Sequence, residues 1–180
     1  MPLKQLRPSA RRRVMDLVEE AGLDVASWAF KADGTPVATP AANPAYCYEW
    51  CFEDGERVVL SLWFDEMGQE DGRVVQRVNV REHRRRVERA KHLAPGTRTA
   101  NVRRAIKLDS AIQRAFRDEL PVQVIVCDGG KRDIGDVASR DPSRVERWLL
   151  DPSPWHVTAY DNPTGKAVLV RDRHLDPVQN

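Results

Sequence analysis

The residues best suited to binding chemistry lie between Asn43 and Trp50, where the chain reads Asn-Pro-Ala-Tyr-Cys-Tyr-Glu-Trp. The first three residues are typical of a loop, and aromatic residues then recur at every second position as far as Phe52. This alternation predicts a strand that places Tyr46, Tyr48, Trp50 and Phe52 on one face. Such rings either pack in a core or form a platform on which nucleobases stack. The loop before them is the better functional candidate, because loops carried by a rigid sheet often hold binding residues.

Catalytic patterns are weak in this sequence. The four histidines are His83, His92, His156 and His174, and none has the ββα hairpin context of an HNH nuclease. The Glu-x-Lys triplet of restriction-type carboxylate sites does not occur. Asp128-Gly-Gly-Lys131 follows an apolar run but lacks the spacing of a P-loop, so a phosphate contact from Lys131 or Arg132 is the better interpretation. We therefore expect a binding protein without enzymatic activity and without a cofactor.

The three cysteines, Cys47, Cys51 and Cys127, form no CxxC pair. An odd count without metal-ligand spacing indicates reduced thiols and a cytoplasmic location, and we expect no metal site. The apolar runs have the length of strands, and the first residues lack the apolar core of a signal peptide. We therefore expect no membrane association.

Charge is distributed very unevenly along the chain. Residues 73–107 contain twelve basic and two acidic residues, a balance of +10, whereas the rest of the chain carries seventeen basic and twenty-five acidic residues. This asymmetry favours a basic face directed toward a polyanion, with DNA or RNA as the best candidate. Arg103 and Lys107 fall on one face of a helix, with Arg104 about 100° away. The candidate DNA-binding residues are Lys31, Asn43, His83, Arg103, Arg104, Lys107, Lys131 and Arg132.

The elements that must position these residues follow from periodicity and turn signals. We predict helices over 11–20, 80–93, 99–119 and 143–150, a break at Pro95-Gly96, and a long loop over 31–44. We predict strands over 46–52, 57–64, 121–127, 155–161 and 166–171, the last two as a hairpin across Asn162-Pro-Thr-Gly165. Residues 133–142 are expected to be loose. This order predicts an α+β domain over residues 1–171, with a mainly antiparallel or mixed sheet of about five strands packed with helices. Residues 172–180 are expected to be a tail or a severed linker.

Several separated blocks resemble the amino-terminal domain of certain bacterial HNH restriction endonucleases. They are Arg12–Val18, Ala21–Trp28, Asn43–Trp50, Val59–Trp63, Lys107–Phe116, Pro121–Gly129 and Leu150–Val157, in that order, across most of residues 10–165. The module in that family resembles a sulfur-binding domain, which recognises double-stranded DNA carrying a backbone phosphorothioate. The resemblance implies the recognition part of a modification-dependent (type IV) restriction system in bacterial defence. A linked HNH nuclease would then lie beyond residue 180.

Sulfur-binding domains hold the sulfur atom on a proline ring with neighbouring aliphatic and aromatic groups. By analogy, the resemblance implies that Pro44, Ala45 and Tyr46 form this pocket. Pro44 supplies ring CH groups, Ala45 a methyl group and Tyr46 a ring edge. The alternative is a purely structural role, in which Pro44 only makes the start of the strand rigid.

Two other functions stay open. In one, the chain reads a different DNA modification, such as a flipped methylated base held in a cage of Trp28, Tyr46 and Tyr48. In the other, it is a general nucleic-acid-binding or protein-interaction module that uses the basic segment. A preference for single-stranded RNA, with no sensitivity to backbone sulfur, would favour the latter.

Overall fold

The computed structural model describes residues 2–133 and 142–172, which contain eight strands of one mixed sheet, three α-helices and four short 3₁₀-helices. The helices are α1 (Val14–Glu20), α2 (Val80–Arg89) and α3 (Pro95–Arg117). The strands are β1 (Cys51–Glu53), β2 (Val58–Trp63), β3 (Met67–Glu70), β4 (Arg73–Asn79), β5 (Val122–Gly130), β6 (Arg144–Leu150), β7 (Trp155–Asp161) and β8 (Lys166–Arg171). The predicted α+β class with a mixed sheet is confirmed, but the expected number of about five strands is too low.

The sheet runs in the order β1-β2-β5-β7-β8-β4-β3, and β6 pairs with β5 beside β7. The β2–β5 pair is parallel and the other pairs are antiparallel. The parallel pair is covered on both faces, which explains why both strands are almost continuously apolar in sequence. These two strands form the rigid centre that carries the β1 edge and the loop before it.

Two hydrophobic cores lie on opposite faces of the central strands. On one face, Leu60 of β2 and Val124 of β5 pack in a core that includes Ile112 of α3. On the other face, Val59 and Ile125 belong to a core that includes α1 and Trp28. Since alternate residues of a strand point to opposite faces, the same two strands hold α3 and the Trp28 segment in place.

A buried ion pair fixes the corner between β6 and β7. Asp151 accepts hydrogen bonds from Arg171 at 2.6 and 2.8 Å and from the Trp155 indole at 2.8 Å. The backbone N–H of Asp151 also donates to the Val124 carbonyl at 2.9 Å. Both charged groups are thus compensated, as burial requires, and β7 is tied to the start of β5.

The helix predicted over 143–150 is wrong, because this segment is strand β6. Its sequence, Arg-Val-Glu-Arg-Trp-Leu-Leu, contains good helix formers, but its backbone pairs with β5 from Ile125 to Gly130. The hairpin β3–β4 was not predicted, since its residues are mostly polar. The hairpin β7–β8 is confirmed with the predicted bounds.

The aromatic strand predicted over 46–52 is also corrected. Residues 44–48 form turns, and pairing with β2 begins only at Cys51. Tyr46 and Phe52 pack with the Trp28 core, whereas Trp50 packs against the core on the α3 side. The four rings therefore do not share one face.

The helices confirm the prediction in outline but differ at their ends. α1 begins at Val14, and α2 ends at Arg89. The predicted break between the two helices is present but lies over 90–94, and Pro95 opens α3, where its missing N–H leaves no hydrogen bond unmade. Within the described ranges, no helix combines the length and the apolar character needed to cross a bilayer.

Candidate nucleic-acid interface

Asn43 anchors the loop that carries Pro44 and Ala45. Its side-chain amide donates to the carbonyls of Trp28 at 2.9 Å and Phe30 at 3.0 Å, and its side-chain oxygen accepts the Ala45 N–H at 3.1 Å. The residue is buried, while Pro44 and Ala45 are both exposed. Asn43 was predicted as a base-reading residue, but here its polar atoms bind its own chain.

Tyr46 fixes the other side of this loop. Its ring stacks on Trp28 with centroids 5.1 Å apart and planes 16° apart, and its N–H donates to the Asn43 carbonyl at 3.0 Å. Trp28 also stacks with Phe52 and is only 2% exposed. The loop that carries Pro44 and Ala45 is therefore anchored on both sides, by the hydrogen bonds of Asn43 and by the stacking of Tyr46 on Trp28. Trp28 offers no open ring face, so Trp28, Tyr46 and Tyr48 do not form an open cage for a base.

Glu49 lies within ion-pair distance of the three basic residues predicted on α3. One of its carboxylate oxygens lies 2.5 Å from Arg103 Nη2 and 3.6 Å from Arg104 Nε, and the other lies 3.8 Å from Lys107 Nζ. Arg104 lies about 100° from Arg103 around the helix, but its long side chain reaches the same carboxylate as Arg103. Three basic residues and one acidic residue give this cluster a formal charge of +2. The backbone of Glu49 bonds to Tyr46, so the cluster adjoins the Pro44 loop.

Tyr48 extends this cluster into solvent. Its side chain is 62% exposed, and the Arg104 guanidinium lies 5.8 Å from the centre of its ring. An exposed aromatic ring beside a cation suits contact with a nucleobase or a sugar. Arg104 itself has little exposed side chain, so Arg103 and Lys107 are the members of the cluster that face solvent most openly.

His83 connects this cluster to the end of β5. Its ring contacts Trp50 edge to face, with centroids 5.4 Å apart. Burial lowers the pKa of His83 below its usual range, and the positive charges of Lys131 and Arg86 lower it further, while Glu66 opposes them. His83 is accordingly neutral at physiological pH and half-buried, with Lys131 in its electrostatic neighbourhood.

The remaining candidates lie at the margins of this surface. Lys131 forms an ion pair with Glu66, and the Arg132 N–H donates to the Ser143 hydroxyl at 2.9 Å. Lys31 is exposed and directly follows Phe30, whose carbonyl Asn43 holds. The structure thus brings the Pro44 loop, the α3 cations, His83 and Lys131 together, with Lys31 beside the loop.

Part of the basic segment over 73–107 is engaged elsewhere. Arg77 of β4 forms two hydrogen bonds with Glu70 of β3, at 2.7 and 3.0 Å. Arg81 is held by Asp109, Tyr160 and the Asn162 carbonyl. The bases available to a polyanion near the loop are therefore fewer than the sequence balance of +10 indicates.

The described residues contain no group of three or more His, Cys, Asp or Glu arranged to hold a metal ion. Burial raises the pKa of Cys51 and of Cys127 to about 12, so these thiols stay protonated. A cleft of about 400 Å³ lies away from the loop, between the β1–β2 turn and the segment before β7. Its lining residues are Glu56, Arg57, Val58, Pro121, Gln123 and Asp151–Pro154.

Glu49 is the site residue that sequence reasoning missed. Its signal was present: it is the one acid between Asn43 and Phe52, in a run that is otherwise apolar. The basic partners lie more than fifty positions away, so the sequence does not show that this acid meets them.

Comparison with protein-family models, with curated protein sequences and with solved structures gives no significant match in any of the three. The resemblance of the sequence blocks to a sulfur-binding domain therefore remains an expectation.

Proposed function

We propose that this chain binds double-stranded DNA that carries a backbone phosphorothioate, as the recognition module of a modification-dependent restriction system. One observation carries the proposal. The exposed, apolar Pro44–Ala45 loop is anchored by the hydrogen bonds of Asn43 and by the stacking of Tyr46 on Trp28. It is flanked by the α3 cations that form ion pairs with Glu49. The apolar surface of Pro44 and Ala45, which suits a sulfur atom, thus lies next to a basic surface that suits phosphates.

Affinity in this proposal comes mainly from charge. Arg103 and Lys107 neutralise phosphates and release counterions, which favours binding to any duplex at low salt. Tyr48 is exposed beside the Arg104 guanidinium, where it can contact a sugar or a base. Lys131, which pairs with Glu66, lies on the His83 side of this surface.

Selectivity comes from the loop. Sulfur is larger and more polarisable than oxygen and accepts hydrogen bonds poorly, so it tolerates contact with the Pro44 ring and the Ala45 methyl group. A phosphate oxygen in the same place loses hydrogen bonds to water without replacement, at a cost of about 1 to 3 kcal/mol. That cost corresponds to a preference of roughly 5- to 150-fold for the modified strand.

The rigidity of the loop supports this mechanism. The hydrogen bonds of Asn43 and the stacking of Tyr46 on Trp28 hold the two apolar groups in one position before DNA arrives. A preformed surface loses little conformational entropy on binding, so a difference between two atoms can be expressed as a difference in affinity. Binding of this kind requires neither a cofactor nor a catalytic residue, and strand cleavage would belong to a nuclease outside residues 1–180.

The test is a competition experiment with a labelled phosphorothioate duplex whose flanking bases are randomised. Unlabelled phosphorothioate duplex should displace it at the lowest concentration, ahead of plain duplex, methylated duplex and single-stranded RNA. Stronger competition by methylated duplex or by RNA would replace the proposal with one of those functions. DNA recovered with Mg²⁺ present should be intact, and cleavage abolished by a substitution in this chain would contradict the binding-only role.

A further inference from the structure

Glu49 is a buried carboxylate beneath exposed bases. Its side chain is 5% exposed, whereas the side chains of Arg103 and Lys107 are 63% and 43% exposed. The carboxylate therefore contacts the terminal nitrogens of these cations, while about half of each cationic side chain stays exposed. A buried acid in this place restrains the direction of the bases around it.

Glu49 is also tied to the loop. Its N–H donates to the Tyr46 carbonyl at 2.9 Å, and Tyr46 in turn donates to the Asn43 carbonyl. One residue thus joins the turn that carries Pro44 to the helix that carries the cations. Movement of α3 relative to the loop would have to break the contacts of Glu49.

We propose that Glu49 is a positioning residue that sets the selectivity of the interface. It holds the α3 cations in a fixed relation to the Pro44 loop and, by its charge, weakens their attraction for the phosphates of any duplex. This inference rests on the proposed function. Charge attracts modified and plain duplexes alike, so the preference depends on the fixed position of the loop relative to the cations, which brings one non-bridging atom of the bound backbone onto Pro44.

Glu49→Gln tests the inference, because it keeps the shape of the side chain and removes its charge. The cluster then carries +3 in place of +2. Affinity for plain duplex should rise by about threefold or more, and the slope of log K against log salt should steepen by about one, as expected for one further neutralised phosphate. The preference for phosphorothioate DNA should fall by at least about threefold, because the cations are no longer held in a fixed relation to the Pro44 loop.

Glu53→Gln is the matched control. Glu53 lies in β1 and pairs with Arg114 of the same helix at 3.1 Å, so this variant makes the same change in net charge outside the Glu49 cluster. It should retain both the wild-type preference and the wild-type salt slope. Equal effects of the two substitutions, or an unchanged preference in Glu49→Gln, would overturn the inference.

Glu49→Asp separates charge from position and serves where Glu49→Gln does not fold. It keeps the charge but shortens the reach to the cations, so the salt slope on plain duplex should stay while the preference for sulfur falls. Retention of both would contradict the positioning role. The preference of the wild-type chain tests the proposed function separately; where that preference is absent, the salt slopes of the Gln variants on plain duplex still decide whether Glu49 restrains the cations.

Discussion

Asn43 and Ala45 are near neighbours with opposite roles. Asn43 is buried and its side chain hydrogen-bonds to the backbone, whereas Ala45 is exposed and, in the proposed function, contacts the ligand with its methyl group. Their types alone do not separate these roles, because an asparagine before a proline suits both a turn and a base contact. Asn43 has the structural role because its side-chain amide donates to the carbonyls of Trp28 and Phe30, fifteen and thirteen positions earlier.

Asn43→Ala should lower the free energy of unfolding by about 1 to 3 kcal/mol, because it leaves buried carbonyls without a donor. Urea unfolding of the wild type and the variant measures the change. Asn162→Ala, at an exposed turn where the side chain accepts from Gln113, is the control and should change stability by less than about 0.5 kcal/mol. Unchanged stability of Asn43→Ala together with an altered base preference would contradict the anchoring role.

His83 should make stability depend on pH. Burial lowers its pKa in the folded state below the unfolded value, so the unfolded chain takes up a proton first as the pH falls. The free energy of unfolding should therefore be fully present above about pH 6.5 and should decrease as the pH falls below it. His83→Phe keeps a ring against Trp50 and should reduce this decrease, as measured by urea unfolding at a series of pH values.

His92→Phe is the control for that series, because His92 is exposed. A pH dependence that is the same in the wild type and in His83→Phe would show that His83 is not the group responsible.

Among the elements, the junction of β5 and β6 places the loop with Lys131 and Arg132. The register shifts between Asp128 and Gly129, and Gly129 has a φ of +148°. A Cβ atom there would lie 2.3 Å from the Arg144 carbonyl oxygen, whereas a Cβ at Gly130 would meet nothing within 4 Å. The bulge thus requires glycine at the first position only.

Gly129→Ala should therefore destabilise the fold by about 2 to 4 kcal/mol, from strain and backbone crowding together. Gly130→Ala is the matched control one residue away and should stay within about 1 kcal/mol of the wild type. Urea unfolding compares the two. Equal effects would mean that the bulge at Gly129 is not constrained as described.

The success of sequence reasoning also differed by element. The β7–β8 hairpin was predicted because its turn signal, Asn162-Pro-Thr-Gly165, separates two short apolar runs, which is local information. β6 was predicted as a helix because its residues favour one, and pairing with β5 overrides that preference. The Pro44–Ala45 loop was found from local chemistry, but the convergence of three cations on Glu49 depends on how α3 packs beside β1 and was not predictable from spacing.

On the scale of the whole molecule, the basic segment over 73–107 does not form one face. It spans β4, α2 and the first half of α3, and its members turn toward different partners. Arg77 pairs with Glu70 of the neighbouring strand, whereas Arg103 shares Glu49 with Arg104 and Lys107, and both arginine side chains are 63% exposed. A charge balance counted along the sequence therefore overstates the positive charge on any one face.

Substitution of these two arginines should separate the two parts of the segment. Arg103→Gln should weaken binding to plain duplex and reduce the slope of log K against log salt by about one, because one phosphate contact is lost. Arg77→Gln makes the same change in net charge and should leave the slope within about 0.3 of the wild type. Titrations at several salt concentrations provide the comparison. A slope below about two for the wild type would itself contradict a phosphate-binding face.

The central claim concerns the Pro44–Ala45 loop as a surface for one sulfur atom. A pocket on one side of the backbone meets only one of the two non-bridging positions, so the two phosphorothioate stereoisomers should not bind alike. Pro44→Ser adds a hydroxyl group where the proline ring lay, so it should lose the preference for sulfur and retain charge-driven binding to plain DNA.

The most direct measurement is the affinity of the wild type and of Pro44→Ser for three duplexes of one selected sequence. Two carry a single stereodefined phosphorothioate of opposite configuration, and the third is plain. The wild type should bind one stereoisomer about 5- to 150-fold more tightly than the other two duplexes, and Pro44→Ser should bind all three within about twofold. Equal affinity of the wild type for both stereoisomers and for plain DNA would contradict the account.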